Sequence, residues 1–354
     1  MAHTQEQRRT FTDETTSVGV VGGGAWGTAL GMHCARMGHS VLIWAREEEV
    51  VRDINNPEVQ ENTVYLPGHR VPDGLKATGS MDELVAHSSV FLMVVPTPFV
   101  AATVSSMKDK LKPHQIMVSC TKGILNDTLE TTNQILQRVL PPPMHAQLAY
   151  LSGPSFAAEV AREQPTAVTV ASTDGQVAQR IQTLLSTPRF RCYRTNDVEG
   201  VELGGALKNV LAIACGIADG LGFGHNGRAA LITRGLSEVT RLAVALGAHP
   251  LTMGGLAGMG DLVLTCTGDL SRNRTVGVRL GKGESLADIT QGMKAVAEGI
   301  LTSRAAHDLA AKLHVEAPII DGIFRVIHEG ADPVAVVTEV MSRGLRTEVD
   351  DEVT

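Results

Sequence analysis

The sequence lacks the signatures of several protein classes. It has no C-x-x-C or H-E-x-x-H motif, and its twelve histidines do not cluster at the spacing of metal ligands, so we expect no metal site. No stretch approaches about 20 apolar residues, the length that a membrane-spanning helix needs, so we predict no membrane span. The formal net charge of −7 argues against a general nucleic-acid-binding protein.

Cysteine is also scarce, and no signal peptide is evident. The cysteines are odd in number, scattered and mostly embedded in apolar runs, so we expect reduced, buried thiols. Residues 1–16 are polar and charged and have no apolar core of the kind a signal peptide needs. We therefore predict a cytoplasmic protein with a disordered extension over residues 1–16 and an acidic tail over residues 346–354. The five cysteines are Cys34, Cys120, Cys192, Cys215 and Cys266.

Glycine, in contrast, is abundant, and three of the 36 glycines give the first functional signal. Gly22, Gly24 and Gly27 form a G-x-G-x-x-G pattern between a predicted strand, residues 18–21, and a predicted helix, residues 28–37. The spacing alone is a weak signal in a glycine-rich chain, but a second apolar strand follows, as a dinucleotide-binding βαβ unit requires. In such a unit the pyrophosphate lies at the N-terminus of the helix. The sequence therefore predicts a nicotinamide cofactor site.

The residues at the end of the second strand, residues 40–44, and just after it indicate which nicotinamide cofactor binds. An acidic residue there suits the ribose 2′-hydroxyl of NAD, whereas an arginine suits the 2′-phosphate of NADP. This chain has Arg46, and the carboxylates of residues 47–49 come after it. We therefore favour NADP over NAD. The alternative is that Arg46 is an ordinary solvated charge at the start of the next helix.

The remaining pattern predicts an α/β fold with two domains. Apolar runs alternate with helical patterns in residues 17–196, which predicts a Rossmann-like doubly wound sheet that binds the dinucleotide. Long segments with a period of 3.6 residues follow, which predict an all-helical substrate domain over residues 197–345. Strands are predicted at 18–21, 40–44, 90–95, 115–120, 149–152, 167–171 and 190–193, and the longest C-terminal helices at 199–218, 228–246 and 303–313.

Polar residues interrupt the apolar patterns of the helical half at two places. Lys208 and Asn209 lie in an otherwise apolar helix, where a lysine either extends to water or occupies a cleft in which burial lowers its pKa enough for proton transfer. Residues 258–267 include Asp261 and precede residues 271–274, Ser-Arg-Asn-Arg. Arginine and asparagine at a helix start suit a phosphate, although a capped surface helix has the same pattern. A lysine acid/base, an aspartate and cations together suit a dehydrogenase of a small phosphorylated substrate.

The same motifs, in the same order, resemble those of bacterial NAD(P)-dependent glycerol-3-phosphate dehydrogenases. The resemblance runs from Val18 to Gly344 and implies reversible reduction of dihydroxyacetone phosphate to sn-glycerol 3-phosphate for glycerophospholipid synthesis. The matching segments are the glycine turn, residues 65–68, 94–96, 121–123, 152–157, 203–209, 257–267 with 271–274, and 296–299.

The resemblance also implies the roles of individual residues. Lys208 would be the catalytic proton donor and acceptor, with Asp261 beside it. Ala25 replaces a serine that many relatives carry, so one hydroxyl contact to the cofactor would be absent. Substrate contacts would come from Lys122, Gly153, Ser155, Lys208, Asn209, Asp261, Thr265, Ser271, Arg272 and Asn273. Cofactor contacts would come from Gly22, Gly24, Ala25, Trp26, Gly27, Arg46, Tyr65, Lys122, Ala157, Arg272, Val296 and Glu298.

Two other functions fit parts of the pattern. A hydroxyacid dehydrogenase of similar architecture would also place a lysine and an asparagine on a helix, but its substrate would be a carboxylate. A non-catalytic nicotinamide sensor would bind the cofactor without needing Lys208 and Asp261. The sequence does not give the oligomeric state, and a homodimer remains open.

Overall fold

A computed structural model gives the structure of residues 15–291, 293, 297–345 and 347. Its strands, in chain order, are β1 (Ser17–Val21), β2 (Ser40–Trp44), β3 (Glu61–Asn62), β4 (Leu66–Arg70), β5 (Leu75–Thr78), β6 (Val90–Met93), β7 (Ile116–Ser119), β8 (Leu148–Ser152), β9 (Thr166–Ala171) and β10 (Phe190–Thr195).

Within the described residues, eight of these strands form one sheet in the order β10-β9-β8-β7-β6-β1-β2-β5. Neighbouring strands are parallel, except that β8 and β9 are antiparallel. The chain proceeds from β1 outward through β2 and β5, and then from β6 outward in the opposite direction. Ligands bind beyond the carboxyl ends of the strands where the order reverses, so this topology directs them to the ends of β1 and β6.

Helices cover both faces of the sheet. Val18 and Val20 of β1 pack in one apolar cluster with Leu30, and Val21 packs in a second cluster with Val100 on the opposite face. Residues 18–21 of β1 are buried, as expected for a strand of a parallel sheet with helices on both faces. The helices of this half are α1 (Ala25–Arg36), α2 (Glu48–Asn55), α3 (Met81–His87), α4 (Thr97–Met107), α5 (Thr132–Val139), α6 (Ala157–Ala161) and α7 (Gly175–Leu185).

The second half is helical and is organised around one long helix. Its helices are α8 (Val198–Gly220), α9 (Gly224–Ala245), α10 (Pro250–Met253), α11 (Asp261–Thr267), α12 (Arg272–Gly281), α13 (Leu286–Gln291), α14 (Glu298–Leu313), α15 (Pro318–His328) and α16 (Pro333–Met341). By length and composition α8 could cross a membrane, although charged residues such as Lys208 and Asp219 interrupt its apolar sequence. However, 94% of its most apolar window is buried inside the protein, which is typical of the central helix of a core.

Helices α8 and α12 meet backbone to backbone. A Cβ atom added to Gly216 would lie 2.9 Å from the Cα atom of Gly277, and one added to Gly281 would lie 3.1 Å from the Cα atom of Gly220. We call these four residues the glycine seam. No side chain separates the two helices there, so the start of α12 is held at a fixed position relative to α8.

The predicted fold class, a Rossmann-like sheet followed by a helical region, is confirmed. Helix α1 begins at Ala25, three residues before the predicted start, because it follows directly from the glycine turn. The edge strand β5 and the short β3–β4 hairpin were not predicted. Of the predicted extension only residues 15 and 16 are described, and of the predicted tail only residue 347.

Candidate active site

The glycine turn joins β1 to α1 at the carboxyl edge of the sheet. Gly22 has a φ angle of +124°, in the range that favours glycine, and its N–H donates to the carbonyl oxygen of Trp44 at 3.0 Å. A Cβ atom at Gly27 would collide with the carbonyl oxygen of Gly22, so only glycine lets α1 start this close to the turn. Gly24, the N-cap of α1, faces open space, because a Cβ atom there would meet no atom within 4 Å. This is the open cradle at a helix N-terminus that a pyrophosphate needs.

Other predicted cofactor residues lie around this cradle. Ala25, Trp26, Tyr65 and Ala157 are partly buried and pack against the same apolar cluster as the start of α1. The indole N–H of Trp26 is buried and has no hydrogen-bond partner among the described residues. A buried donor without a partner is unusual in a native protein and often indicates a missing ligand. The cradle and this donor together fit a bound dinucleotide.

Three residues meet at the end of β2, where the ribose of the adenosine is expected. The side chain of Arg46 is 80% exposed, and its Nη2 lies 3.5 Å from Oε1 of Glu47. The hydroxyl of Tyr65 donates to the same oxygen at 3.4 Å. Glu47 thus places a carboxylate beside Arg46, so the structure offers groups for the 2′-hydroxyl of NAD and for the 2′-phosphate of NADP. The preference for NADP stays a prediction.

The centre of the site is a carboxylate shared by two lysines. Nζ of Lys122 donates to Oδ2 of Asp261 at 2.7 Å, and Nζ of Lys208 donates to Oδ1 of the same carboxylate. Lys208 is 8% exposed and Asp261 1% exposed, so this group of three charges is largely removed from water. Lys122 also lies 3.5 Å from the carbonyl oxygen of Gly153, which the hydroxyl of Ser155 contacts at 2.9 Å.

Burial and the neighbouring charges change the protonation of this group. Desolvation lowers the pKa of Lys208 to about 8, because the attraction of Asp261 only partly offsets it and the charge of Lys122 adds to it. Burial alone would raise the pKa of Asp261, but the ammonium groups of Lys122 and Lys208 outweigh it and hold that pKa below its usual value. The arrangement keeps Asp261 ionised and lets Lys208 exchange a proton near neutral pH.

The local backbone explains how Asp261 reaches Lys208. A π-helical turn, Leu256–Gly260, immediately precedes Asp261, and such turns often occur at functional sites. Gly204 of α8 packs on this turn so closely that a Cβ atom there would lie 3.0 Å from the carbonyl carbon of Ala257. Thr265 lies one turn after Asp261. Its hydroxyl donates to the backbone carbonyl oxygen of Asp261 at 2.6 Å and lies 3.4 Å from Oδ1 of Asp261. Thr265 therefore lies beside the shared carboxylate, and its contact to the substrate stays a prediction.

Asn209, next to Lys208 on α8, connects three helices. Its Oδ1 accepts from Nδ2 of Asn273 at 2.9 Å, and its Nδ2 donates to Oε2 of Glu298 at 3.2 Å. Oδ1 of Asn273 accepts from the N–H of Gly299 at 2.9 Å. The predicted residues Asn209, Asn273 and Glu298 therefore form one hydrogen-bonded group beside Lys208.

At the start of α12, Ser271 and Arg274 make structural contacts, whereas the guanidinium of Arg272 is available to a ligand. The hydroxyl of Ser271 caps α12 by accepting from the N–H of Arg274 at 3.2 Å, and Arg274 pairs with Asp219 and Asp269. Arg272, at the first position of α12, is exposed and makes no ion pair within the described residues. Ser271 thus caps the helix, and Arg272 beside it is open to an anion. Val296 lies outside the described residues.

This geometry is accompanied by clear similarity to known proteins. Residues 17–178 match the N-terminus, and residues 197–338 the C-terminus, of NAD-dependent glycerol-3-phosphate dehydrogenase. The chain belongs to this family. It is 50% identical over 331 residues to glycerol-3-phosphate dehydrogenase [NAD(P)+] of Geobacter sp. (strain M21), covering 94% of this chain and 98% of the relative. The enzyme of the same name from Syntrophotalea carbinolica is 47% identical over 334 residues, covering 94% and 100%.

The fold agrees with that of a solved member of the glycerol-3-phosphate dehydrogenase family. The crystal structure of the enzyme from Coxiella burnetii superposes with a TM-score of 0.87 at 37% identity, covering 93% of this chain and 99% of that one. The likeness extends over both halves of the chain, so the family relationship includes the sheet and the helical region together.

Two polar residues near the candidate site were missed in the sequence. Nδ2 of Asn62, on β3, donates at 2.7 Å to the carbonyl oxygen of Gly23 and to the hydroxyl of Thr28, and so holds the glycine turn. Its sequence neighbourhood gave no signal. The other is Glu202, an acidic residue among apolar neighbours on α8, which is the same anomaly that identified Lys208.

Proposed function

We propose that the chain catalyses the reversible reduction of dihydroxyacetone phosphate to sn-glycerol 3-phosphate with a nicotinamide cofactor. The observation that carries the proposal is the carboxylate of Asp261 shared by Lys122 and Lys208. The chain that contains this carboxylate belongs to a family whose members are named for this activity. The family membership favours the phosphorylated substrate over a hydroxyacid, and a proton-exchanging lysine favours an enzyme over a sensor.

Lys208 is proposed as the acid in reduction and the base in oxidation. When bound, the nicotinamide supplies the hydride for reduction and accepts it in the reverse reaction. The ammonium of Lys208 donates a proton to the carbonyl oxygen as negative charge develops there, and the neutral amine takes the proton back in oxidation. Asp261 orients Lys208, and Lys122 keeps the ammonium of Lys208 acidic by adding a second positive charge.

The cofactor is proposed to contact the glycine turn, Ala25, Trp26, Arg46, Tyr65, Ala157 and Glu298, with Lys122 and Arg272 shared with the substrate. The phosphate is proposed to lie at the start of α12, against Arg272, Asn273 and Ser271, where an exposed guanidinium and a helix N-terminus favour a dianion. Residues 17–196 then serve as the cofactor domain and residues 197–345 as the substrate domain, in a cytoplasmic enzyme that supplies glycerophospholipid synthesis.

A substrate comparison tests the proposal. We expect loss of nicotinamide absorbance with dihydroxyacetone phosphate and far less with a 2-keto acid. Arg272→Ala should raise KM for the phosphate substrate about 10- to 100-fold, since a charge-assisted contact contributes about 1.5–3 kcal/mol. Turnover of a keto acid well above that of the phosphate would overturn the assignment.

The matched control is Arg279→Ala, which removes an arginine of the same helix that pairs with Glu284. This variant should keep the KM of the parent. Dihydroxyacetone without phosphate should be a similarly poor substrate for the parent and for Arg272→Ala. A large difference between them on this truncated substrate would show that Arg272 does not act through the phosphate.

The cofactor preference gives a separate prediction. Arg46→Asp should weaken NADPH about 10- to 100-fold more than NADH, because a charge-assisted contact to the 2′-phosphate is lost and a repulsion is added. Dissociation constants measured by quenching of tryptophan fluorescence would show this. Arg52→Asp is the control, since Arg52 is also exposed but pairs with Asp53 on α2. Equal weakening of both cofactors by Arg46→Asp would show that Arg46 does not contact the 2′-phosphate.

A further inference from the structure

A small polar cavity lies between the ends of β7 and β8 and the first turns of α8. Its volume is about 10 Å³, enough for one water molecule. Ser119, Ser152, Lys122 and Glu202 contribute to its wall. The hydroxyls of Ser119 and Ser152 are buried and have no hydrogen-bond partner among the described residues. Buried hydroxyls are normally satisfied, so two unsatisfied ones on one water-sized cavity indicate a bound water.

Glu202 is held firmly on the other side of this cavity. It lies six residues before Lys208 on α8, and its carboxylate accepts from the backbone N–H of Asn133, at the start of α5, at 3.0 and 3.1 Å. The hydroxyl of Tyr150 donates to the side chain of Asn133 at 2.7 Å, which fixes that residue in turn. Glu202 is therefore anchored to the sheet independently of the substrate.

The ammonium of Lys122 can donate a further hydrogen bond, into this cavity. An ammonium has three donors, and the observed partners of Lys122 are Asp261 at 2.7 Å and the carbonyl oxygen of Gly153 at 3.5 Å. Lys122 therefore contributes to the wall of the cavity and also contacts the carboxylate of Asp261.

We propose that Glu202 is a positioning residue for Lys122, acting through a water molecule that the hydroxyls of Ser119 and Ser152 hold in the cavity. Glu202 and this water direct Lys122 toward Asp261, and Asp261 directs Lys208. The effect on turnover rests on the proposed function, whereas the effect on the lysines does not.

The charges near Glu202 determine how this arrangement titrates. Desolvation raises the pKa of Glu202 to about 8, opposed by hydrogen bonds from the Thr131 hydroxyl and the Asn133 backbone. Glu199 faces it from its own helix, Tyr150 from β8, and Lys122 from the segment after β7. Glu202 and Lys208 therefore titrate over the same pH range, near 8. In the proposed arrangement the negative charge of Glu202 favours the ammonium form of Lys208.

Glu202→Gln tests the proposal, with Glu238→Gln as the matched control. Like Glu202, Glu238 accepts backbone N–H groups at a helix start, those of Ile319 and Ile320, but it faces α15. We expect Glu202→Gln to lower kcat/KM for dihydroxyacetone phosphate about tenfold, the effect of one charge-assisted hydrogen bond. We also expect the midpoint of its pH–rate profile to move to lower pH. Glu238→Gln should leave that midpoint unchanged.

A measurement without cofactor or substrate separates this inference from the proposed function. Titration of ¹³C-labelled lysine side chains by NMR should show the pKa of Lys208 lowered in Glu202→Gln and unchanged in Glu238→Gln. An unchanged lysine titration in Glu202→Gln would overturn the inference even if the enzyme turns over its substrate. Absence of turnover with a shifted titration would contradict only the proposed function.

Ser119→Ala tests whether the water is present, because the direction in which the thermal midpoint changes depends on it. If the hydroxyl binds the cavity water, its removal should lower the thermal midpoint, since a buried hydrogen bond is lost. If the cavity is dry, removing an unsatisfied hydroxyl should raise the midpoint, and the inference would be wrong.

Discussion

Lys208→Ala is expected to lower kcat by about 10²–10⁴-fold, the usual contribution of a positioned general acid or base. The residue lies in the buried group with Asp261 and Lys122, where its pKa of about 8 allows it to give and take a proton. Cofactor binding should survive, because the glycine turn is a separate part of the structure. Both tryptophans, Trp26 and Trp44, lie beside that turn, so their fluorescence can report binding in the variant.

The pH dependence of the parent enzyme tests the same role of Lys208, because oxidation and reduction should respond to pH in opposite directions. Oxidation needs the neutral amine of Lys208, so its rate should be lost as the pH falls below about 8. Reduction needs the ammonium, so its rate should be lost as the pH rises above about 8. Lys208→Arg keeps the positive charge but cannot release a proton, so it should not restore activity. Near-normal kcat in Lys208→Ala, with both profiles kept, would transfer the role to Lys122.

Asp261→Asn is expected to damage both the fold and the chemistry. Removing one partner of a buried ion pair typically lowers the free energy of unfolding by about 3–5 kcal/mol, because the remaining charges lose their compensation. Lys208 can relieve part of this cost by losing its proton, since Asp261 is the main attraction that raises its pKa. We therefore expect urea unfolding at a lower midpoint, and reduction lost at a lower pH than in the parent.

Asp219→Asn is the matched control for that variant. Asp219 is a largely buried carboxylate shared by two cations, Arg228 and Arg274, and it lies on the same helix as Lys208. Its substitution should destabilise the fold but leave the midpoint of the pH–rate profile unchanged. If Asp261→Asn behaved in the same way, Asp261 would have only a structural role.

Much of the fold was predictable because apolar pattern and turn residues agree. Strand β2 was predicted at its observed bounds, and the glycine turn follows β1 as its spacing requires. The hairpin was missed because β4 contains Pro67 and Gly68, which are rare in strands and indicate a turn. Strand β5 has only four residues and a lysine, which is too short and polar for an apolar run.

Individual residues of the candidate site were predictable from the sequence, but their arrangement in space was not. An isolated lysine in an apolar helix identified Lys208, the second polar segment of the helical half contained Asp261, and the resemblance implied the role of Lys122. The sequence could not show that Lys122 and Asp261, 139 residues apart, form an ion pair, because such pairing depends on how the sheet and helices pack. Glu202 had the same kind of signal as Lys208, and its partner, the N-terminus of α5, became evident only in the folded chain.

The glycine seam sets a limit on how the specificity of this enzyme can be changed. The proposed proton donor lies on α8 and the proposed phosphate anchor at the start of α12, and between these helices main chain touches main chain. The spacing between the two ends of the substrate is therefore a property of the backbone, which side-chain substitutions in the core cannot lengthen or shorten gradually. Selection or engineering for a longer or shorter substrate would have to act on the side chains that line the site, or replace the packing of the helix pair as a whole.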